Sequence, residues 1–449
     1  MLKQRLLPTS ILSVFFAMTL SVHAENKPQS LLDIYNLALA NDATLASALV
    51  ANQSTQEIIQ QAKALYRPVV NFNAGTSLTS TDIAFNTSRV PFPSGSQAFS
   101  AYQYGVEAHQ PIYRQQSLVE IEQAKTQVSL ADKQLYLTQQ TLLLRTTLAY
   151  FDVLVMQDKR ALLAAQKAAI LSQLEQAKAN FVAGTNTSTD VNEAQARYDI
   201  VVAQELAAIN DQQIAKQAVL AITGETPQSL APINSSMKTH AIEQSLDKWL
   251  EVGAANDLNL QIHQDNVKLS EQAIDHANAG HLPTLDAVAS VSDSYTSGNY
   301  YGFGSDLKIG SVGLQLQVPL YQGGGTTSRV RQAVLNKQKA VNDVDVARRQ
   351  MTQETQRAYL NLTTSIAQVK AYEQALISSQ SQLDSTHVSF DVGLRTSVDV
   401  LNAQQQLFSA KRDLLQARTN YLVNIIRLKT ATGVIAESDL IDINQQLVQ

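Results

Sequence analysis

The chain has 449 residues and a net charge of −5, and only 16% of it is charged, against about 25% in an ordinary soluble domain. That balance excludes a basic nucleic-acid binder at the level of bulk charge. The absence of cysteine excludes disulfides, thiolate metal sites, a cysteine nucleophile and a lipidated N-terminal Cys.

Lys3 and Arg5 precede a mostly apolar run from Leu6 to Leu20, and Val22-His23-Ala24 places tolerated residues at the −3 and −1 positions of a cleavage site. Residues 1–24 are read as an export signal. The competing reading is a membrane anchor, but the run is short of the ~20 residues that a span requires. Removal of the segment takes the net charge to −7. No later stretch of 18 apolar residues exists, which leaves periplasmic, secreted and β-barrel destinations.

The remainder is one plan written twice. Ser30-Leu31 and Ala40-Asn41-Asp42 recur as Ser245-Leu246 and Ala255-Asn256-Asp257, at an offset of 215. Gln110-Pro111-Ile112-Tyr113 recurs as Val318-Pro319-Leu320-Tyr321 at 208, and Ala149-Tyr150 as Ala358-Tyr359 at 209. The stretch from Phe181 to Val191 answers to Phe390 to Val400, and Thr223-Gly224 to Thr432-Gly433, also at 209. The first repeat is set at 25–230, a linker at 231–244 and the second repeat at 245–449. Each repeat is predicted to open with a helix of about 35 residues ending near Pro68 or Pro283. Two strands follow, within about 68–111 or 283–319. A long helix then runs over 114–183 or 325–392, and a last helix over 188–223 or 397–432, with a C-terminal tail beyond.

The long helix has two apolar rows. Ile121, Val128, Leu135, Leu142, Ala149, Met156, Leu163, Ile170 and Ala177 recur every seven residues, and Leu130, Leu137, Leu144 and Phe151 form a second such row. An offset of two residues sets the rows roughly 150° apart, which implies a neighbour on each side, as in a wall of helices. A single wide face in an ordinary bundle is the plainer alternative. No Pro or Gly interrupts Arg114 to Phe181, so the helix would reach roughly 100 Å.

In the strands, Val312, Leu314, Leu316 and Val318 alternate with Ser311, Gly313, Gln315 and Gln317, and Tyr102, Tyr104, Val106 and Ala108 with Gln103, Gly105, Glu107 and His109. This is the apolar-out, polar-in dyad of a membrane barrel strand of about ten residues. A half-buried soluble sheet has the same alternation. Tip-like loops are placed at Ser88–Ser96 and Ser294–Asp306. Four strands per chain cannot close a barrel, since the smallest have about eight. Several chains must therefore contribute if the strands meet lipid; three would supply twelve.

With this duplication, Ala279-Gly-His-Leu-Pro-Thr-Leu-Asp286, Gln195-Ala-Arg-Tyr-Asp199, Val318-Pro-Leu-Tyr-Gln-Gly-Gly324 and Val392-Gly-Leu-Arg-Thr-Ser-Val-Asp-Val-Leu401 resemble the TolC family of outer-membrane efflux and secretion channels, from Ser30 to Leu440. The resemblance implies a mixed α/β, mainly α, membrane protein. It implies a homotrimer with one twelve-stranded outer-membrane β-barrel, continued by a long periplasmic α-helical barrel. It further implies docking of a periplasmic adaptor and an inner-membrane RND or ABC transporter in a Gram-negative bacterium, with the inner end closed at rest by polar links. On that basis Asp190 with Arg395 matches a gate ion pair, with Thr189 beside it. Phe390 stands where the family often has Tyr. Asp399 matches an acidic ring at the tightest point, where three symmetric carboxylates repel one another and attract cations. Asn402 stands where a second acidic ring can occur. The residues alone offer another reading, in which Asp190 is an N-cap and Asp399 a first-turn dipole partner after Ser397.

No catalytic constellation appears. Gly323-Gly324-Gly325 lacks the Lys of a phosphate-binding loop, and the first repeat reads Arg114-Gln115-Gln116 there. G-x-S-x-G, H-E-x-x-H and EF-hand runs are absent. His276 and His281 are five apart, which a helix does not align as ligands, and His387 lies near the gate with a possible pH-sensitive contact. No enzyme activity, cofactor, metal or nucleic-acid partner is expected. Two other classes compete: a periplasmic adaptor, which should carry one hairpin and a lipoyl-like domain, and a secreted helical filament, which has no use for amphipathic strands.

Overall fold

The computed structural model describes residues 28–84, 94–185, 187–234 and 236–448. The expected export signal at 1–24 and Pro91 and Pro93 of the first tip loop lie outside the described residues. The first repeat contains α1 (Leu31–Asn41), α2 (Ala43–Ala64), β1 (Val69–Ile83), β2 (Gly95–Tyr113), α3 (Gln115–Val182) and α4 (Ser188–Thr223). The second contains α5 (Leu246–Asn256), α6 (Leu258–Ala279), β3 (Thr284–Thr296), β4 (Ser305–Gln317), α7 (Gly325–Asp391) and α8 (Ser397–Ala431), followed by α9 (Glu437–Asn444).

The opening helix of about 35 residues is not continuous. It breaks at Asp42 in one repeat and at Asp257 in the other, each in an extended conformation with ψ of 115° and 117°. Each carboxylate then caps the next helix, accepting from the N–H of Leu45 at 2.8 Å and of Leu260 at 2.7 Å. Asp competes well with helix continuation because its short side chain satisfies orphan N–H groups at a helix start. Arg145 of α3 reaches back to Asp42 and ties the break to the long helix.

The strands form one antiparallel sheet in the order β1-β2-β3-β4. They are 13 to 19 residues long rather than about ten. The polar ends around Ser80-Thr81 and Gln97 lack the alternating pattern, yet their backbones still pair. The Ser294–Asp306 loop is correspondingly shorter than expected, since both its ends belong to strands. Tyr102 faces Tyr295 across the β2–β3 seam, with the rings stacked 5.0 Å apart. At the foot of the sheet Arg114 makes a bidentate pair with buried Asp286 (3.0 and 2.8 Å), joining the start of α3 to the second repeat. Among the described residues β1 and β4 each keep one unpaired edge. The alternating apolar side chains stand in the open: Val312 is 88% and Leu78 80% exposed.

The two rows of α3 meet different neighbours. Leu135, Leu142 and Ala149 pack with Ala38, Leu45 and Ile222 from α1, α2 and α4. Leu144 and Phe151 face the central core, which holds Leu362 of α7, Leu422 and Ile426 of α8, and Leu440 of α9. The linker runs through this core. The hydroxyl of fully buried Tyr150 donates to the Ala231 carbonyl at 2.8 Å, and burial pushes that phenol's pKa upward. Among the described residues, the hairpins α3–α4 and α7–α8 continue below the core.

The last helices end on equivalent left-handed glycines, Gly224 (φ 75°) and Gly433 (φ 71°), with different surroundings. A Cβ on Gly224 would make an ordinary contact with Asn41 at 3.7 Å; on Gly433 it would run into the Asn256 backbone, 2.8 Å from the carbonyl carbon. Gly224→Ala is expected to cost about 1 kcal/mol and Gly433→Ala at least about 2 kcal/mol in chemical denaturation of the purified protein. Equal costs would show that the α5–α6 break yields to the added methyl.

A candidate gate at the helix turns

Both hairpins turn in the same way. Gly184 (φ 77°) and Gly393 (φ 76°) take the left-handed position that closes a helix C-terminus. The N–H of Thr185 donates to Asn180 O at 3.0 Å, and that of Leu394 to Ser389 O at 2.8 Å, completing the paired bonds of that turn. The next helix then opens with a capping box. Thr187 is the N-cap of α4 and Thr396 that of α8. Asp190 accepts from the Thr187 N–H and hydroxyl, both at 2.9 Å; Asp399 accepts from the same groups of Thr396 at 2.9 and 3.0 Å.

Asp190 is therefore the third residue of its helix rather than the N-cap. The bond from the Thr187 N–H, then those from the hydroxyls of Thr187 and Ser397, hold its carboxyl below the ordinary range. Ser397 begins α8, so this contact crosses between the hairpins. Asp399 is held low in the same way by Thr396, with the Arg395 charge adding to it. Within the chain Arg395 lies 3.7 Å from Asp399 rather than beside Asp190. Thr189 is exposed on the first turn of α4. Phe390 packs against Leu383, Val400, Ala403 and Leu407, an apolar use of a ring that has no hydroxyl to offer. His387 is exposed near the end of α7, beside a recess of about 70 Å³ that Phe390 and Ser397 also line.

Asn402 has a partner that the sequence reading missed. Its side-chain oxygen accepts from Arg197 of α4 at 2.9 Å. Leu401 beside it leaves its own hairpin and is buried among Ile170, Leu174, Ala194 and Val201 of α3 and α4. The one sequence trace of this contact is Glu193 four residues before Arg197, an ion-pair spacing on a helix. No cluster of metal-ligating side chains exists among the described residues, and no helix there is long and apolar enough to cross a membrane.

Two helices of about 100 Å, each folded back at its far end into a partner of about 50 Å, and a strand pair in each repeat make an elongated wall. The sequence profile of the outer membrane efflux protein family matches residues 34–225 and 249–434, one block in each repeat. The chain belongs to that family. Outer membrane protein TolC of Vibrio cholerae is 33% identical over 99% of both chains. Alkaline protease secretion protein AprF of Pseudomonas aeruginosa is 29% identical over 95% of this chain and 89% of the relative. The Campylobacter jejuni CmeC outer membrane channel superposes with a TM-score of 0.78 at 15% identity, over 93% of this chain and 89% of that one. This outer membrane efflux protein is thus an outer-membrane exit duct, of the efflux and secretion kind and of a non-enzymatic family.

The lowered carboxyls give the capping boxes a definite pH response. A depressed pKa means that the stabilisation is complete above the ordinary carboxylate range and is lost as pH falls through the depressed value. Protection against hydrogen exchange at the first turns of α4 and α8, taken relative to the intrinsic amide rate at each pH, is expected to hold on acidification to the ordinary carboxylate range and to fall only below it. In Asp399→Asn the α8 turn should exchange faster already at neutral pH.

Proposed function

We propose that three copies of this chain close a twelve-stranded barrel in the outer membrane and that their hairpins close a tube through the periplasm. The observation that carries this is the sheet: four strands, an open backbone edge on both β1 and β4, and exposed apolar side chains along them. An unpaired edge cannot face lipid, because no water is there to satisfy its N–H and C=O groups. β4 of one copy against β1 of the next satisfies every edge at once. In this reading residues 1–24 export the chain and are removed, 25–230 and 245–449 are the two repeats, and 231–244 is the linker stitched into the core.

Transport is passive and the chain catalyses nothing. An inner-membrane RND or ABC pump, joined through a periplasmic adaptor, supplies the energy, and the cargo is a drug, a toxic compound or an exported polypeptide. The tips of α3–α4 and α7–α8 form the resting gate. Asp190, Thr189 and Arg395 serve the contacts between neighbouring hairpins, Phe390 packs the tip of its own hairpin, and the three copies of Asp399 make one acidic ring. Asn402 provides no second ring. A single ring of three carboxylates favours cations without trapping them.

The test is single-channel conductance of the detergent-purified mature protein in a planar bilayer. Small, discrete, cation-preferring steps are expected, with a several-fold loss of that preference in Asp399→Ala. A protein that is soluble without detergent and conducts nothing would overturn the channel reading. Conductance with unchanged selectivity in Asp399→Ala would remove Asp399 from the narrowest point.

A further inference from the structure

The two hairpins meet one another sparsely along α4 and α8, and above the Ser397–Asp190 contact at the tips Arg197 spans the gap. Arg197 of α4 is held from behind by Glu193, one turn earlier on the same helix, at 2.9 Å. Its remaining donors point across to α8, Nη2 to Asn402 Oδ1 at 2.9 Å and Nη1 to Gln405 Oε1 at 3.2 Å. Asn402 and Gln405 are three apart and share a helix face. Beside them Leu401 is 3% exposed in the α3–α4 seam. A cleft of about 340 Å³ runs between the hairpins at this level and is walled by the same Arg197, Glu193 and Leu401.

The repeats differ here residue by residue. At the offset of 209, Leu401 replaces Asn192, Asn402 replaces Glu193, and Gln406 stands where the first repeat has Arg197. The first repeat supplies the cation and its anchor; the second supplies an apolar bolt and neutral acceptors. The contact is thus built once and in one direction.

We propose that Arg197 is the latch that holds the α7–α8 hairpin against α3–α4 in the closed duct, with Glu193 as its positioning residue and Asn402 and Gln405 as its strike plate. This deepens the gate reading above and rests on it. Neutral amides suit the task. A hydrogen bond from a cation to an amide is weaker than one to a carboxylate, so the helices part under a modest pull. The amide at 402 is accordingly more than a missing acid. A carboxylate there would meet Arg197 directly, tighten the latch and be neutralised by it, instead of adding a second cation-attracting ring.

Two readouts test the latch in the full mature protein. In bilayers, Arg197→Ala should raise resting conductance several-fold, with Arg197→Lys between it and the parent. Asn402→Asp should lower conductance and leave cation preference unchanged, and should raise that preference only when combined with Arg197→Ala. A parent-like Arg197→Ala, or a single Asn402→Asp that alone increases cation preference, would overturn the latch. The second readout needs no channel. The chain lacks cysteine, so Arg197→Cys with Asn402→Cys is the only thiol pair, and a short bismaleimide should join it within one chain. A protein that cross-links but never conducts would sink the channel reading and leave the hairpin contact standing. Failure to cross-link in a conducting protein would sink the latch alone.

Discussion

A helix as long as α3 has to be held on two sides. At 68 residues it is several times longer than the core it crosses, and one apolar seam would leave the opposite flank free to bend. Its two rows solve this by assigning neighbours. One row sets Leu135 and Leu142 against the repeat's own helices; the other sets Leu144 and Phe151 in a central core that both repeats share, and Ala149 touches both clusters. Everything above and below is arranged around that double attachment. The strands can project as a sheet, and the hairpin ends can run free, because the middle is clamped by α1, α9 and the linker at Tyr150.

Duplication builds most of this, and the departures from it place the specific contacts. The breaks at Asp42 and Asp257, the glycine turns and the capping boxes are the same in both repeats. The joints between repeats are not. Arg114 and Asp286 form a buried bidentate pair, whereas their counterparts by the repeat offsets are Gln322 and Asn71. The Arg197 contact has no mirror image either. A symmetric chain would offer two identical faces and no preferred register between hairpins. One ion pair, one arginine–amide contact and one buried leucine, none of them repeated, supply that register.

The sequence made visible what depends on short spacings. Heptad rows, the strand dyad and the Gly-marked turns all repeat within a few residues, so the elements and their order could be read directly. The single opening helix was misread because Asn41-Asp42 and Asn256-Asp257 were used as repeat markers and not as caps. Their meaning lay in ψ, which composition does not carry. The strand ends were misread because Ser and Thr pair through the backbone without showing alternation. At the turn of α7–α8, Asp399 stands out in the sequence, but Thr396, which holds it in the capping box, does not. Arg197 stands in the Gln195–Asp199 segment with no visible partner, since its acceptors on α8 lie more than 200 residues away and no local spacing reports a contact between hairpins.

The low charge of the chain has a mechanical reading at this scale. Many of the charges on the long helices are cancelled across helix seams, as with Lys159 and Asp211 at 3.0 Å, Arg418 and Glu373 at 3.0 Å, and the pair Lys167 and Glu205. Exposed ion pairs contribute little stability and are screened by salt. Cancelling charge nevertheless flattens the field along the wall, and the Gln, Asn, Ser and Thr that remain bind water without favouring either sign. A wall of this kind exerts little selection on charge. On the reading proposed above, discrimination falls to the level of Asp399, whose charge Arg395 offsets only at 3.7 Å within the chain, one turn from the proposed Arg197 latch. In that proposal selection and opening are governed within one or two turns of the same helix, which leaves the rest of the proposed tube free to be long, uniform and permissive.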